Sequence, residues 1–299
     1  MVADGRGGPG SNQHGKKSKQ GRQAPTALTP KRVPPTADPM PIGTTDTPLL
    51  LQSPSRSFDG AVVALEGMTA AAKDALGREW RLVGGLMTLL SVRVLAPGQP
   101  DNRFSADADL GVDVTALGGA PLLAAMEQGG FKKLDGSRLQ RVVGDVEAHI
   151  DVIGAATGGR FDRNVRAGDF VVDVTPGLQA ALALPPRPVS YRAVLTDGSS
   201  AGADGVLLPH PIAALAMKVY AWRSLQRPQD ADDVAALLRA VSASGDEDYA
   251  ATWSQHPDLE SARMDLRKKG RVWAPHMIRD AGWASEEVAE LKYAARSIT

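Results

Sequence analysis

Asp107 and Asp109 stand two residues apart in "RFSADADLGVD", Arg103 to Asp113, with Ser105 just ahead of them. In an extended strand, Ser105, Asp107, Asp109 and Gly111 share one face while Ala106, Ala108, Leu110 and Val112 share the other. The two acids then project over an apolar back, with Cα atoms ~6.6 Å apart at strand rise. Carboxylates brought to ~5 Å repel by roughly 3 kcal/mol at an effective dielectric of about 20. A solvated strand would splay them apart, whereas a divalent cation would use them. A calcium loop of the EF-hand kind is excluded, because Leu110 and Gly111 replace its third ligand and spacer, and Gly118 stands where the closing Glu belongs. Asp113 follows Gly111 and belongs to no motif.

Two other segments carry groups of the same chemistry. "VGGLM", Val83 to Met87, reads as a strand, a Gly84–Gly85 turn and a helix start. Glycine admits close backbone approach to a phosphate, and a helix N-terminus offers free N–H groups; a plain tight turn is the alternative. It is not the G-x-G-x-x-G of dinucleotide binders. In "DVEAHIDVIG", Asp145, Glu147, His149 and Asp151 alternate with apolar residues. Asp151 lies between Ile150 and Val152, where an unpaired carboxylate is costly, and suits a third metal ligand or a general base. The polar face of an edge strand is the alternative, and His149 reads as a hydrogen-bonding neighbour.

The elements that must position these groups alternate in type. Val62, Leu65, Met68, Ala72 and Leu76 recur at helical spacing after Phe58, and Gly77 ends that helix. "EWRLV" is a strand, "LMTLLSVRVLA" a helix stopped by Pro97, "PGQPDNR" a loop, and Phe104 to Val112 the acidic strand. A short helix over 120–129 ends at Gly129–Gly130, and two strands flank Gly144. Further strands follow in "FVVDV" and "YRAVL…VLLP", turning at Asp197–Gly198. Beyond Pro209 the pattern is helical: Pro211 suits a first turn before Ile212, Leu215, Ala216, Val219 and Trp222, and a second helix begins after Pro228. Residues 245–299 add helix, with Trp253, Trp273, His276 and Trp283 assigned to the core and an acceptor-binding surface the alternative. The expectation is an α+β fold, a mixed sheet flanked by helices over 57–208, with a helical C-terminal domain over 209–299.

Composition bounds the partners. The 299 residues balance 34 basic against 34 acidic side chains, and 43% are hydrophobic. The charge is uneven. Residues 1–56 hold Arg6, Lys16, Lys17, Lys19, Arg22, Lys31, Arg32 and Arg56 against Asp4, Asp38 and Asp46, in a Pro/Gly/Ser-rich stretch expected to be a disordered basic tail. Such a tail fits RNA without establishing it. Cysteine is absent, which excludes disulfides and thiolate metal sites and leaves oxygen or imidazole as ligands. The longest apolar run, Leu82 to Val92, is about half of the roughly 20 residues that span a bilayer, and the start lacks a secretion signal. A cytoplasmic protein without a membrane partner is expected.

Gly84–Gly85 at a strand-to-helix turn, Ser105-Ala-Asp107-Ala-Asp109, and Ile150-Asp151-Val152 follow the order found in the DNA polymerase β-like nucleotidyltransferases, which the chain resembles. The spacing departs from that pattern, with 22 positions from Gly85 to Asp107. "HPIAALAMKVYAWRSLQRPQDADDVAALL" is similar to a segment of the AbiEii and MenT-type toxin nucleotidyltransferases, in which a helical Lys precedes an Arg-x-x-Asp-x-x-Asp helix start. The matching positions are Lys218, Arg227, Asp230 and Asp233, and the resemblance spans Arg81 to Leu238. Asp230, Asp233, Val234 and Leu237 form one helical stripe, so the two acids lie at the core edge while Asp232 points away.

The resemblance implies Mg²⁺, one ion or two, held on a nucleoside triphosphate by Asp107 and Asp109. Asp151 then completes the metal site or takes the proton of the attacking hydroxyl. Gly84, Gly85 and Ser105 would contact the triphosphate, with Arg103 and Arg227 beside it; Lys218 would neutralise phosphate charge, and Asp230 and Asp233 would orient it or the acceptor. The implied acceptor is a tRNA 3′ end or another RNA, and the implied partner a cognate antitoxin. A small-molecule nucleotidyltransferase of the antibiotic-modifying kind, or a non-catalytic nucleotide or RNA binder, would carry the same pattern.

Overall fold

In a computed structural model, residues 47–99, 104–118, 121–156, 160–245, 249–267 and 285–298 are described. Arg103, Trp273, His276 and Trp283 lie outside them. The first element corrects the expected extent of the tail: β1 (Leu49–Gln52) is a strand that buries Leu51. The helix expected from Phe58 starts at Ser55, whose Oγ accepts from the Phe58 N–H, and runs as α1 (Arg56–Leu76) to Gly77.

Strand β2 (Trp80–Val83) feeds directly into α2 (Gly84–Leu95), so the two glycines are the first turn of the helix instead of a linker ahead of it. The acidic strand is shorter than expected. β3 covers Ala108–Val112, leaving Ser105 and Asp107 in the approach to it. On one side, β2 pairs antiparallel with β3 from Trp80↔Val112 to Val83↔Asp109, and Gly84 then turns the chain out of the sheet, so β2 offers nothing opposite Asp107; on the other, the parallel ladder with β6 begins at Ala108↔Ile150.

After α3 (Pro121–Gln128) and the two-residue β4 (Lys132–Lys133), strands β5 (Arg138–Val143) and β6 (Val146–Ala155) form the hairpin expected around Gly144. Strands β7 (Asp162–Ala167) and β8 (Phe170–Thr175) complete a seven-stranded mixed sheet. β6 is its longest strand. It pairs parallel with β3, antiparallel with β5 through Asp151, and parallel with β8 from Ile153 onward. The neighbour of β6 therefore changes just beyond Asp151.

Helix α4 (Leu178–Ala183) packs on β3, where a Cβ on Gly111 would sit 2.8 Å from Leu178 Cδ1. Buried Arg81 ties β2 to the end of that helix: its guanidinium donates to the carbonyls of Ala181, Leu182 and Leu184, and to those of Arg78 and Trp80. Burial, with Arg78 nearby, brings its pKa down to about 10. Strands β9 (Arg187–Val194) and β10 (Ser200–Leu208) turn at Asp197–Gly198 as expected and, with β1, make a second sheet in the order β1-β9-β10.

Helices α5 (Pro211–Leu225) and α6 (Pro228–Ser244) follow, each with proline in its first turn. They belong to the same compact unit as the sheets, Met40–Thr299, so the boundary drawn at 208/209 separates element types and not bodies. Trp253 is fully buried, as assigned. Among the described residues, no helix is long and apolar enough to cross a membrane. The architecture is mixed α+β, with mixed sheets flanked by helices.

Candidate active site

One row of the larger sheet builds the site. Val83 on β2 stands opposite Asp109 on β3, Asp109 beside Asp151 on β6, and Asp151 opposite Arg138 on β5. Paired residues in register point to the same face, so the Asp109, Asp151 and Arg138 side chains emerge together. Ala108, Leu110, Ile150 and Val152 are buried on the other face, the alternation that the sequence predicts. Asp107 arrives from the approach to β3 and is held by Ser105, whose Oγ donates to Asp107 Oδ1 at 2.9 Å. Ser105, expected to meet phosphate, lines the cavity, and its hydroxyl is given to this carboxylate.

Asp107, Asp109 and Asp151 each place a carboxylate oxygen within 4.8 Å of the other two. Three partly exposed oxygen donors this close fit a small hard dication, whose ligands are carboxylates and water. Gly84 abuts the cluster. Its φ is +71°, and a Cβ there would collide with Asp109 Oδ2, so only glycine lets the helix start this near the acid.

A cavity of about 530 Å³ opens over the row, lined by Gly84, Gly85, Ser105, Asp107, Asp109 and Asp151. Its far wall is helical, with Lys218 from α5 and Arg227 and Asp230 from the start of α6. Residues that the sequence spaces over more than 140 positions thus face one space. Lys218 is buried in an otherwise apolar stretch of α5, and its Nζ lies 2.7 Å from Asp233 Oδ2. Asp233, expected at the substrate, is not among the residues that line the cavity, and its carboxylate pairs with Lys218, which does. Arg227 donates to both oxygens of buried Asp230, at 2.7 and 3.1 Å. That hydrogen bond holds the Arg227 pKa above its ordinary value against partial burial, and Asp230, Asp109 and Asp233 add to it by charge.

Arg138 was missed. Its Nε and Nη2 donate to Asp151 Oδ1 and Oδ2 at 2.8 and 2.5 Å, and Nη2 lies 3.7 Å from Asp107 Oδ2. The bond to Asp151 is the main reason its pKa is raised against desolvation, and charge from Asp151, Asp107 and Asp135 adds to it. Two further acids not singled out from sequence, Asp135 and Asp173, also line the cavity. His149 pairs with Glu147 at 3.5 Å, consistent with a neighbour's role, while Asp145 lies in the turn before β6.

The arrangement is an acid cluster on a sheet, a glycine-opened helix N-terminus beside it, and two cationic side chains across from it. No family model, curated protein or solved structure matches the chain.

Proposed function

We propose that this protein is a metal-dependent nucleotidyltransferase of the DNA polymerase β-like kind, moving a nucleotide from a nucleoside triphosphate to an acceptor hydroxyl. The observation that carries the reading is the convergence of Asp107, Asp109 and Asp151 oxygens within 4.8 Å at the mouth of the α2 N-terminus. A structural ion pair needs one acid per base. A three-acid cluster beside free helix N–H groups suits a cation and a polyphosphate together.

Asp107, Asp109 and Asp151 would hold Mg²⁺, which when bound offsets triphosphate charge and makes an attacking hydroxyl more acidic. The N–H groups of the first turn of α2 would donate to phosphate oxygens, and the absent side chain at Gly84 lets that turn start against the Asp109 carboxylate. Ser105 keeps Asp107 oriented. Lys218, fixed by Asp233, places a point charge against the phosphates as the bond from the α-phosphorus to its leaving oxygen breaks. The acceptor oxygen bonds to that phosphorus as its proton passes to Asp151 or to water, and pyrophosphate departs.

The acceptor is an RNA, with a tRNA 3′ end first among candidates, and the protein acts as the toxin of a toxin–antitoxin pair. This part rests on the resemblance of Lys218, Arg227, Asp230 and Asp233 to the AbiEii and MenT-type pattern. Incubation with Mg²⁺, each labelled triphosphate and total tRNA tests it, with aminoglycosides as competing acceptors. Label should enter tRNA and vanish with Asp107→Ala; transfer that survives that substitution unchanged would overturn the assignment. Transfer to an aminoglycoside alone would favour the small-molecule reading, and triphosphate binding without transfer a non-catalytic one.

A further inference from the structure

Arg138 occupies an unusual place for a salt-bridging arginine. It stands opposite Asp151 across the β5–β6 hairpin and binds both oxygens of one acid of the cluster while lying 3.7 Å from a second. Its side chain is 42% exposed, against 22% for Asp151 and 33% for Asp107. The guanidinium therefore caps the acids from the open side of the cavity, at the end of a flexible stem. A planar fork of this kind binds phosphate oxygens as readily as carboxylate oxygens.

We propose that Arg138 is the resident counter-cation of the acid cluster, displaced from Asp151 when a divalent metal enters and handed to the phosphates of the incoming nucleotide. This rests on the nucleotidyltransferase reading. Two physical arguments support it. Three acids within 4.8 Å of one another need positive charge when no metal is bound, and among the described ion pairs to Asp107 and Asp151 that charge comes from Arg138. A dication on the same oxygens would face the guanidinium at close range, and like charges that near disfavour each other. Metal alone must then compete with Arg138, whereas metal arriving with a polyphosphate gives Arg138 a new anion. The site would take the two together better than either singly, a reciprocal coupling. Arg138 is thus a positioning residue for charge: it weakens metal binding until the substrate's phosphates are present.

Calorimetric titration of the full-length protein with Mn²⁺, with inorganic triphosphate, and with both tests this without any turnover. Wild type should bind Mn²⁺ more tightly in the presence of triphosphate beyond what chelation in solution accounts for. Arg138→Gln should tighten binding of Mn²⁺ alone by about tenfold, weaken triphosphate binding, and lose most of the coupling; about tenfold lies inside the ordinary span of such couplings. Arg138→Lys, which keeps the charge and loses the fork, should fall between. If Asp109→Asn abolishes Mn²⁺ binding but Arg138→Gln leaves it unchanged or weaker, Arg138 merely braces Asp151 and the inference falls while the metal site stands. If wild type, Arg138→Gln and Asp109→Asn all fail to bind Mn²⁺, the metal site falls and the inference with it. Circular dichroism of each variant confirms that the fold is retained.

Discussion

Gly84 and Asp109 touch so closely that no side chain fits between them: a Cβ on Gly84 would enter the Asp109 carboxylate, and Gly84 holds φ at +71°. Strand β2 must leave the sheet here for α2 to begin at the acid cluster. Gly84→Ala should therefore cost roughly 1–2 kcal/mol from backbone strain, read by urea unfolding. It should reduce nucleotidyl transfer by about 100-fold through displacement of Asp109. A variant with wild-type rates would show that the contact is not needed for the chemistry.

Metal should stabilise the protein through the three acids. Ligand that binds only the folded state adds about 2.7 kcal/mol at a concentration 100 times its Kd. Mg²⁺ or Mn²⁺ should raise Tm in differential scanning fluorimetry, and EDTA should abolish both the shift and the transfer reaction. Asp109→Asn and Asp151→Asn should each remove the shift while leaving the metal-free Tm within a few degrees, since both side chains are only partly buried.

The Lys218–Asp233 pair separates stability from chemistry. Both side chains are almost fully buried, at 8% and 2% exposure. Removing one partner strands the other charge, which costs about 3–5 kcal/mol. Lys218→Met and Asp233→Leu should each destabilise by that order in chemical denaturation. The double substitution should regain much of the loss yet remain inactive, because the point charge that Lys218 sets against the phosphates is gone while Arg227 and Arg138 stay on the cavity wall. Activity in the double variant would remove Lys218 from the mechanism.

Asp59 links stability to pH. It lies buried near the start of α1 and accepts from the backbone N–H and hydroxyl of Thr196, beyond the end of β9. Burial alone would raise its pKa, but hydrogen bonds from Ser53 and Thr196 and the charge of Arg56 bring it below the ordinary 3.8. A carboxylate depressed in the folded state contributes stability that is fully present above its unfolded pKa and is lost as pH falls through its folded one. Wild-type stability should thus decline below about pH 4. Asp59→Asn should be less stable at pH 7, with a shallower decline in the acid range; identical pH profiles would deny Asp59 this role.

Much of the site was readable locally. Alternation in "SADADL" put Asp109 on the face opposite Ala108 and Leu110, and the double glycine marked a strand-to-helix passage. Arg138 was also within reach. Gly144 and Asp145 form a two-residue turn that closes on the Val143↔Val146 pair, and counting outward from that pair sets Arg138 opposite Asp151. The short extent of β3 was less legible, because "RFSADADLGV" is extended in character throughout. The departure of β2 at Gly84 and the start of the β6 ladder at Ala108↔Ile150 show where pairing stops.

By itself the sequence determined the kinds of most elements from α1 onward, the faces of α6 and β6, and the glycine that the start of α2 requires. Those depend on periods of two and 3.6 residues and on backbone freedom, which neighbours along the chain dictate. Tertiary structure alone decided that Asp109 and Asp151 share a register on parallel strands, that Arg138 closes their row, and that Lys218 meets Asp233 across two helices. A parallel pair joined by a long crossover has no turn to set its register, so packing of the buried faces must choose it. A buried lysine likewise takes the carboxylate that the folded core brings within reach, because leaving it unpaired there costs more than almost any rearrangement around it.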